Sequence, residues 1–289
     1  PRYVSAVDSG NLLASLWTMD QGLMSILHAP LLDVKVFDGL KDTGCVLQQV
    51  IRDGKYPDFD MRAMGELVQS WESPPSHVAS LLSLLRRTDI GAGKLSEKLS
   101  GSVVEENSAY WIRQIESQIA AWKNVADRYL TWIEILNERT EEEIAKLAPD
   151  VTQVFREAIH HAPTLSDLAC GQIPCIVSLK GILEKTPADS IVLREWIDRV
   201  VNAFEKSKWM AGETLAQSEK LIKSGRALSL SIDMHFLYNT DRRLFSIGYN
   251  VSEGRLDRAF YDLLASEARL GSFVAIARGD VPVEHWFAM

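Results

Sequence analysis

WIRQIESQIAAWKNVADRYLTWIEIL, residues 111–136, decides the fold class. Its apolar positions Trp111, Ile115, Ile119, Trp122, Ala126, Tyr129 and Ile133 recur every three or four residues. That is the stripe of a long amphipathic helix, not the alternation of a strand. The same period extends in both directions. It predicts helices over roughly 9–28, 31–52, 60–71, 75–87, 107–136, 140–160, 171–184 and 187–225, separated by SPPS at 73–76, HHAPT at 160–164 and KTPADS at 185–190. At the start of the first helix, Asp8 or Ser9 can cap by accepting a backbone N–H. The charged run RTEEEIAK reads as a solvated helix start. Trp111, Trp122 and Trp132 could stack on sugar rings, but core packing is the simpler reading.

The pattern changes near 233. In DMHFLYNTDRRLFSIGYN, two short aromatic and β-branched runs flank the turn-forming NTDR, which predicts one β-hairpin near 234–248. After the polar loop NVSEGRLD, a final helix is expected from about 257 to 278, ended by Gly279 with Pro282 soon after. No repeat of fixed period and no low-complexity stretch is evident.

Composition excludes several functions. The 31 basic and 39 acidic residues give a formal charge of −8, against a nucleic-acid-binding chain or a polybasic membrane surface. No apolar run approaches the roughly 20 residues of a membrane helix, so no direct membrane insertion by this segment is expected. Cys45, Cys170 and Cys175 make no disulfide framework and are expected to be buried or half-buried free thiols. The six histidines lack HExxH or HxH spacing, and no GxSxG, P-loop or dinucleotide fingerprint occurs. No metal and no cofactor are expected. The abrupt start at PRYVSAVDSGN and stop at EHWFAM resemble the cut ends of a segment of something longer.

One carboxylate is out of place. If 257–278 is a helix, Glu267 lies three, four or seven residues from Phe260, Leu263, Leu264, Leu270 and Val274, in the middle of an apolar face. Burying a carboxylate costs several kcal/mol unless it is paired, hydrogen-bonded or protonated. Either an ion pair with an arginine of another helix or a catalytic acid of raised pKa would account for it. Gly271, one turn on, would let a ligand approach, while Arg258, Asp262, Ser266 and Arg269 would share a polar face.

At both ends the chain resembles a known family. RYVSAVDSGNL at 2–12 and FLYNTDRRLFSIGYNVSEGRLDRAFYDLLASEARLGSFVAIARGDVPVEHWF at 236–287 are similar to the glucoamylase-like middle domain of cyclic β-1,2-glucan synthases. Residues 30–230 resemble that family only in position and helical character. The resemblance implies a single mainly α segment over 1–289, an incomplete (α/α)6-toroid-like domain, with 1–28 and 233–289 as its matching parts. It implies a large bacterial inner-membrane enzyme, with this segment at the cytoplasmic face and bound to neighbouring domains of the synthase. Its substrate would be a β-1,2-glucan chain, cyclised by retaining transglycosylation through two carboxylates about 5 Å apart. Glu267 of SEAR matches a family catalytic glutamate and would be the general acid/base. Asp8, Ser9, Asn11, Asn250, Tyr261 and Asp262 would hold glucose hydroxyls. The second carboxylate would lie beyond Met289, so this chain alone would be inactive. A β-1,2-glucan hydrolase, and a non-catalytic glucan-binding or scaffold module, are the competing readings.

Overall fold

The computed structural model of the chain describes residues 2–54, 61–99, 106–147, 152–188, 190–262 and 267–289. It is mainly α, as the periodicity predicts. In chain order, β1 (Tyr3–Ser5) leads into α1 (Ala6–His28), α2 (Lys35–Gly54), α3 (Met61–Glu72), α4 (Val78–Leu99) and α5 (Glu106–Tyr129). Then come α6 (Thr131–Leu136), α7 (Glu141–Leu147), α8 (Thr152–His160), α9 (Leu165–Cys170), α10 (Pro174–Lys185) and the 41-residue α11 (Ile191–Ser231). After it come β2 (Tyr238–Asn239), β3 (Leu244–Phe245), β4 (Gly248–Asn250), β5 (Arg255–Leu256), α12 (Ala268–Arg278) and α13 (Glu284–Ala288). Two compact units result: Pro1–Leu27 with Ala216–Met289, and His28–Leu215 between them. α11 runs from the central unit into the terminal one.

In the central unit, α2 packs against α3 and α5, and α4 against α5. Trp71 and Trp132 are fully buried, and the Trp71 indole donates to Thr88 Oγ1 (2.9 Å). The Arg86 guanidinium forks onto Glu134 (2.8 and 2.9 Å) and reaches Asp127 (2.6 Å), tying α4 to α5 and α6. The hydrogen bond to Glu134 raises the Arg86 pKa, so the cation is never lost. The opening stretch is not one helix. It breaks at Leu130 (φ −121°), where the Trp132 indole donates to Tyr129 O (3.0 Å) and the Thr131 hydroxyl to Asp127 O (3.0 Å). Side-chain donors thus take carbonyls that a continuous helix would use. Trp132, 1% exposed and edge-on to Phe204, belongs to the core and offers no face to a sugar.

Cys175 is buried, and burial pushes its thiol up to about 12. Cys45 and Cys170 are exposed, contrary to expectation, Cys45 on the outer face of α2 and Cys170 at the last position of α9. Among the described residues, no helix is long and apolar enough to cross a membrane, and no group of His, Cys, Asp and Glu could hold a metal ion.

In the terminal unit, α1 and the last turns of α11 run antiparallel. The Trp17 indole donates to Ser229 Oγ (3.1 Å), and Arg226 forks onto Asp20 (2.7 and 3.1 Å). β2 and β3 form the expected hairpin, pairing Tyr238 with Phe245, with the turn placing Arg243 at φ +58°. A second sheet, order β1-β4-β5, is additional to it. Its strands of two or three residues are too short to leave a period-2 signature.

His285 clamps this part together. Its ring is 1% exposed, lies edge-on to Phe245 and Tyr238, and its nitrogens are 2.8 Å from Arg243 O and 2.8 Å from Ser272 Oγ. A carbonyl can only accept, so Nδ1 carries the proton and Nε2 accepts from Ser272. Burial lowers the His285 pKa below its ordinary 6.5. The unfolded chain therefore binds this proton first, and the stabilisation is complete above about pH 6.5 and lost as pH falls through the folded value. Urea unfolding between pH 7.5 and 5 is expected to show falling stability that is shallower in His285→Asn. Equal slopes in the two proteins would contradict the assignment.

Candidate active site

The expected helix from 257 does not form. Asp257 N–H donates to Gly248 O (2.9 Å), Ile247 N–H to Ala259 O (3.0 Å) and Tyr261 N–H to Phe245 O (3.0 Å). Segment 257–261 thus lies along 245–248 as an extended ladder, and those backbone groups cannot also close helical turns. Leu263, Leu264 and Ser266 lie outside the described residues. The helix begins at Ala268, and its buried positions are Ala268, Gly271, Ser272, Val274 and Ala275, whereas Leu270 and Phe273 are exposed.

Glu267 is therefore not inward-facing on an apolar surface, which corrects the periodicity argument. It occupies the N-cap position of α12 in a right-handed helical conformation (φ −65°, ψ −25°), makes no capping hydrogen bond and is exposed. Nor does Gly271 open a path for a ligand. It is buried where α12 meets α1: a Cβ built on Gly10 would come 2.3 Å from Gly271 Cα. The first turns of two helices are thereby brought side by side, with Asp8 on one and Glu267 at the end of the other.

Ser5, not Asp8 or Ser9, caps α1, since Asp8 N–H donates to Ser5 Oγ (3.1 Å). This leaves the exposed Asp8 carboxylate free of that duty. The Ser5 hydroxyl in turn lies within hydrogen-bonding reach of the half-buried Tyr261 phenol. Burial raises the Tyr261 pKa, and the fields of Glu267 and Asp8 raise it further, so both carboxylates lie near enough to act on this phenol. Tyr261 is thus neutral at physiological pH, with its hydroxyl beside that of Ser5.

The structure does not gather every residue expected from the sequence. Ser9 is half-buried on α1, Asn11 is exposed one turn beyond Asp8, and Asp262 is exposed next to Tyr261. Asn250 Oδ1 accepts from Glu253 N–H (3.1 Å), so its amide shapes the β4–β5 turn. The polar face expected for Arg258, Asp262 and Arg269 loses its basis, because 257–262 is not helical. Sequence reasoning missed Ser5, Tyr3 and Asp257. The first was legible as a Ser three residues before Asp8, a spacing that fits a cap to N3 as well as Asp8 itself does.

The Gly10–Gly271 contact yields an asymmetric prediction. Gly10→Ala drives a methyl into backbone and is expected to destabilise the chain by about 3 kcal/mol. Gly271→Ala meets Gly10 Cα at 3.5 Å and Ala6 O at 3.6 Å, ordinary contacts, and is expected to be neutral or stabilising by up to about 1 kcal/mol through helix propensity. Equal effects in urea unfolding would contradict the close approach.

No protein-family model matches the chain. Over 292 aligned residues, covering the whole chain, it is 29% identical to "Cyclic beta-(1,2)-glucan synthase NdvB" of Rhizobium meliloti (strain 1021). The chain spans only 8% of that protein's length. The similarity supports a distant kinship with the cyclic β-1,2-glucan synthases.

Proposed function

We propose that the terminal unit holds a reacting carboxylate of a centre that cyclises β-1,2-glucan. One observation carries this reading: the two separated stretches that resemble the cyclising domain converge where Gly10 meets Gly271, which brings the helix start bearing Asp8 beside the one bearing Glu267, with Tyr261 in the field of both. Retaining chemistry needs a carboxylate to attack the anomeric carbon and a second carboxyl group to protonate the departing oxygen. In cyclisation the chain's own 2-hydroxyl then replaces water and releases the enzyme carboxylate.

Glu267 is that first carboxylate in this proposal. It stands in solvent at the end of a helix where backbone N–H groups point outward, surroundings that suit an anion. A proton-holding acid is instead favoured by a desolvated pocket, whereas Glu267 is exposed. We therefore assign Glu267 the part of nucleophile, in place of the general acid/base that the resemblance implies. Tyr261, held by Ser5, stands within the field of both carboxylates, and Ser9 and Asn11 follow Asp8 along the α1 surface as hydroxyl-binding candidates. In this reading the chain serves a synthase of the bacterial inner membrane, lies on its cytoplasmic face and takes part in an (α/α)6-toroid-like domain.

The experiment is Glu267→Gln in the complete synthase. Loss of cyclic product with continued synthesis of linear glucan supports the proposal. Short linear oligosaccharides from the parental enzyme would favour the hydrolase. Unchanged ring formation by the variant would favour a scaffold role.

A further inference from the structure

On β1, two residues before Ser5, the surface carries an aromatic ring that is both exposed and held still. Tyr3 is 43% exposed, yet its hydroxyl donates to Asp257 Oδ2 and its ring lies over Gly248. A Cβ on Gly248 would come 2.6 Å from Tyr3 Cε1 and 2.3 Å from Val4 O, so only glycine admits the ring there. β1 pairs Tyr3 with Asn250 and Ser5 with Gly248, and side chains two apart in a strand share a face. Tyr3 therefore stands on the same side as Ser5, the residue that reaches Tyr261. Burial of part of the ring and the bond to Asp257 push the Tyr3 phenol up to about 12, so it remains a neutral donor. Among the described residues, the second oxygen of the half-buried Asp257 carboxylate accepts no hydrogen bond.

We infer that Tyr3 and Asp257 form a glucosyl-binding subsite next to the reacting carboxylate. The bare side of the ring receives the C–H face of a pyranose, and the free Asp257 oxygen accepts from its hydroxyls. This pairing of an apolar surface with a precisely placed acceptor is the pattern of small-molecule sites in general. The ligand is a neutral polyol rather than a phosphate or an acid, because Asp8, Asp257 and Glu267 all repel anions. Pinning the ring in advance removes the ordering cost that a free surface tyrosine would add to binding.

The inference takes its glucan from the function proposed above, so the test separates the two. In the complete synthase, Tyr3→Ala is expected to raise the KM for linear β-1,2-glucan by about 10- to 100-fold with kcat within about threefold, the signature of lost binding. Tyr3→Phe keeps the ring and should change KM by less than about threefold. Asp257→Asn should fall between them. An unchanged KM in Tyr3→Ala, or equal damage from Phe and Ala, overturns the subsite. With turnover silenced by Glu267→Gln, direct titration with linear β-1,2-glucan should show the same loss of affinity on adding Tyr3→Ala. If Glu267→Gln keeps full turnover while Tyr3→Ala still raises KM, the subsite stands and the catalytic role of Glu267 falls.

Discussion

Glu267→Gln in the complete synthase is expected to reduce ring formation by about 10³-fold or more, roughly 4 kcal/mol of transition-state stabilisation. The substitution keeps shape but removes the charge, and with it the capacity to bond covalently to carbon or to exchange a proton. Glu267 is exposed and makes no capping hydrogen bond, so folding should be untouched. Unfolding of the variant chain should match the parent within about 0.5 kcal/mol, as for surface changes in general. A large loss of both activity and stability would point to a structural carboxylate. Conserved turnover would remove Glu267 from the chemistry.

The largest effect on stability is expected at Arg278. Its Nε donates to both oxygens of Asp280 (2.9 and 2.8 Å), and its other nitrogens donate to Ser229 O (2.8 Å), Ile232 O and Asp280. The guanidinium thereby fastens the end of α11 to the end of α12, where Gly279 at φ +84° completes a turn closed by Asp280 N–H donating to Ala275 O (2.9 Å). The Arg278 and Asp280 side chains are only 15% and 8% exposed. Arg278→Ala leaves a nearly buried carboxylate and two carbonyls without their donor, and should cost about 3–5 kcal/mol in urea unfolding. Arg278→Lys should recover little of this, since an ammonium cannot fork. Replacing both residues, as in Arg278→Met with Asp280→Leu, should be milder than Arg278→Ala alone, because no unpaired charge remains. An Arg278→Ala cost below about 1 kcal/mol would contradict this account.

Helical character was legible because it repeats. Stripes such as that of 111–136 need only local spacing, and helices follow them even where Leu130 interrupts the run. The hairpin was legible from NTDR, whose Asn239 Oδ1 accepts from Arg242 N–H (2.8 Å). What the sequence hid was non-local. Residues 257–261 carry helical spacing, but their backbone is claimed by 245–248, a pairing that no window around Glu267 contains. The false helix then produced a false burial, and with it a misplaced reason for the carboxylate. Periodicity singled out Glu267 for a burial it does not have, and its catalytic role came from family resemblance. The aid to it from Ser5 and Tyr3 depends on β1 meeting β4, some 245 positions away in the chain. Gly10 and Gly271 likewise explain each other only once the two helices touch.

The most direct test of Glu267 as nucleophile is azide rescue of Glu267→Ala in the complete synthase acting on linear β-1,2-glucan. With the nucleophile gone, azide attacks the anomeric carbon from the vacated side while the intact acid protonates the leaving oxygen. The product predicted is an α-glucosyl azide, inverted relative to the β-linkage. A β-glucosyl azide would instead mark Glu267 as the acid/base, and turnover at the parental rate without azide would remove it from the reaction altogether.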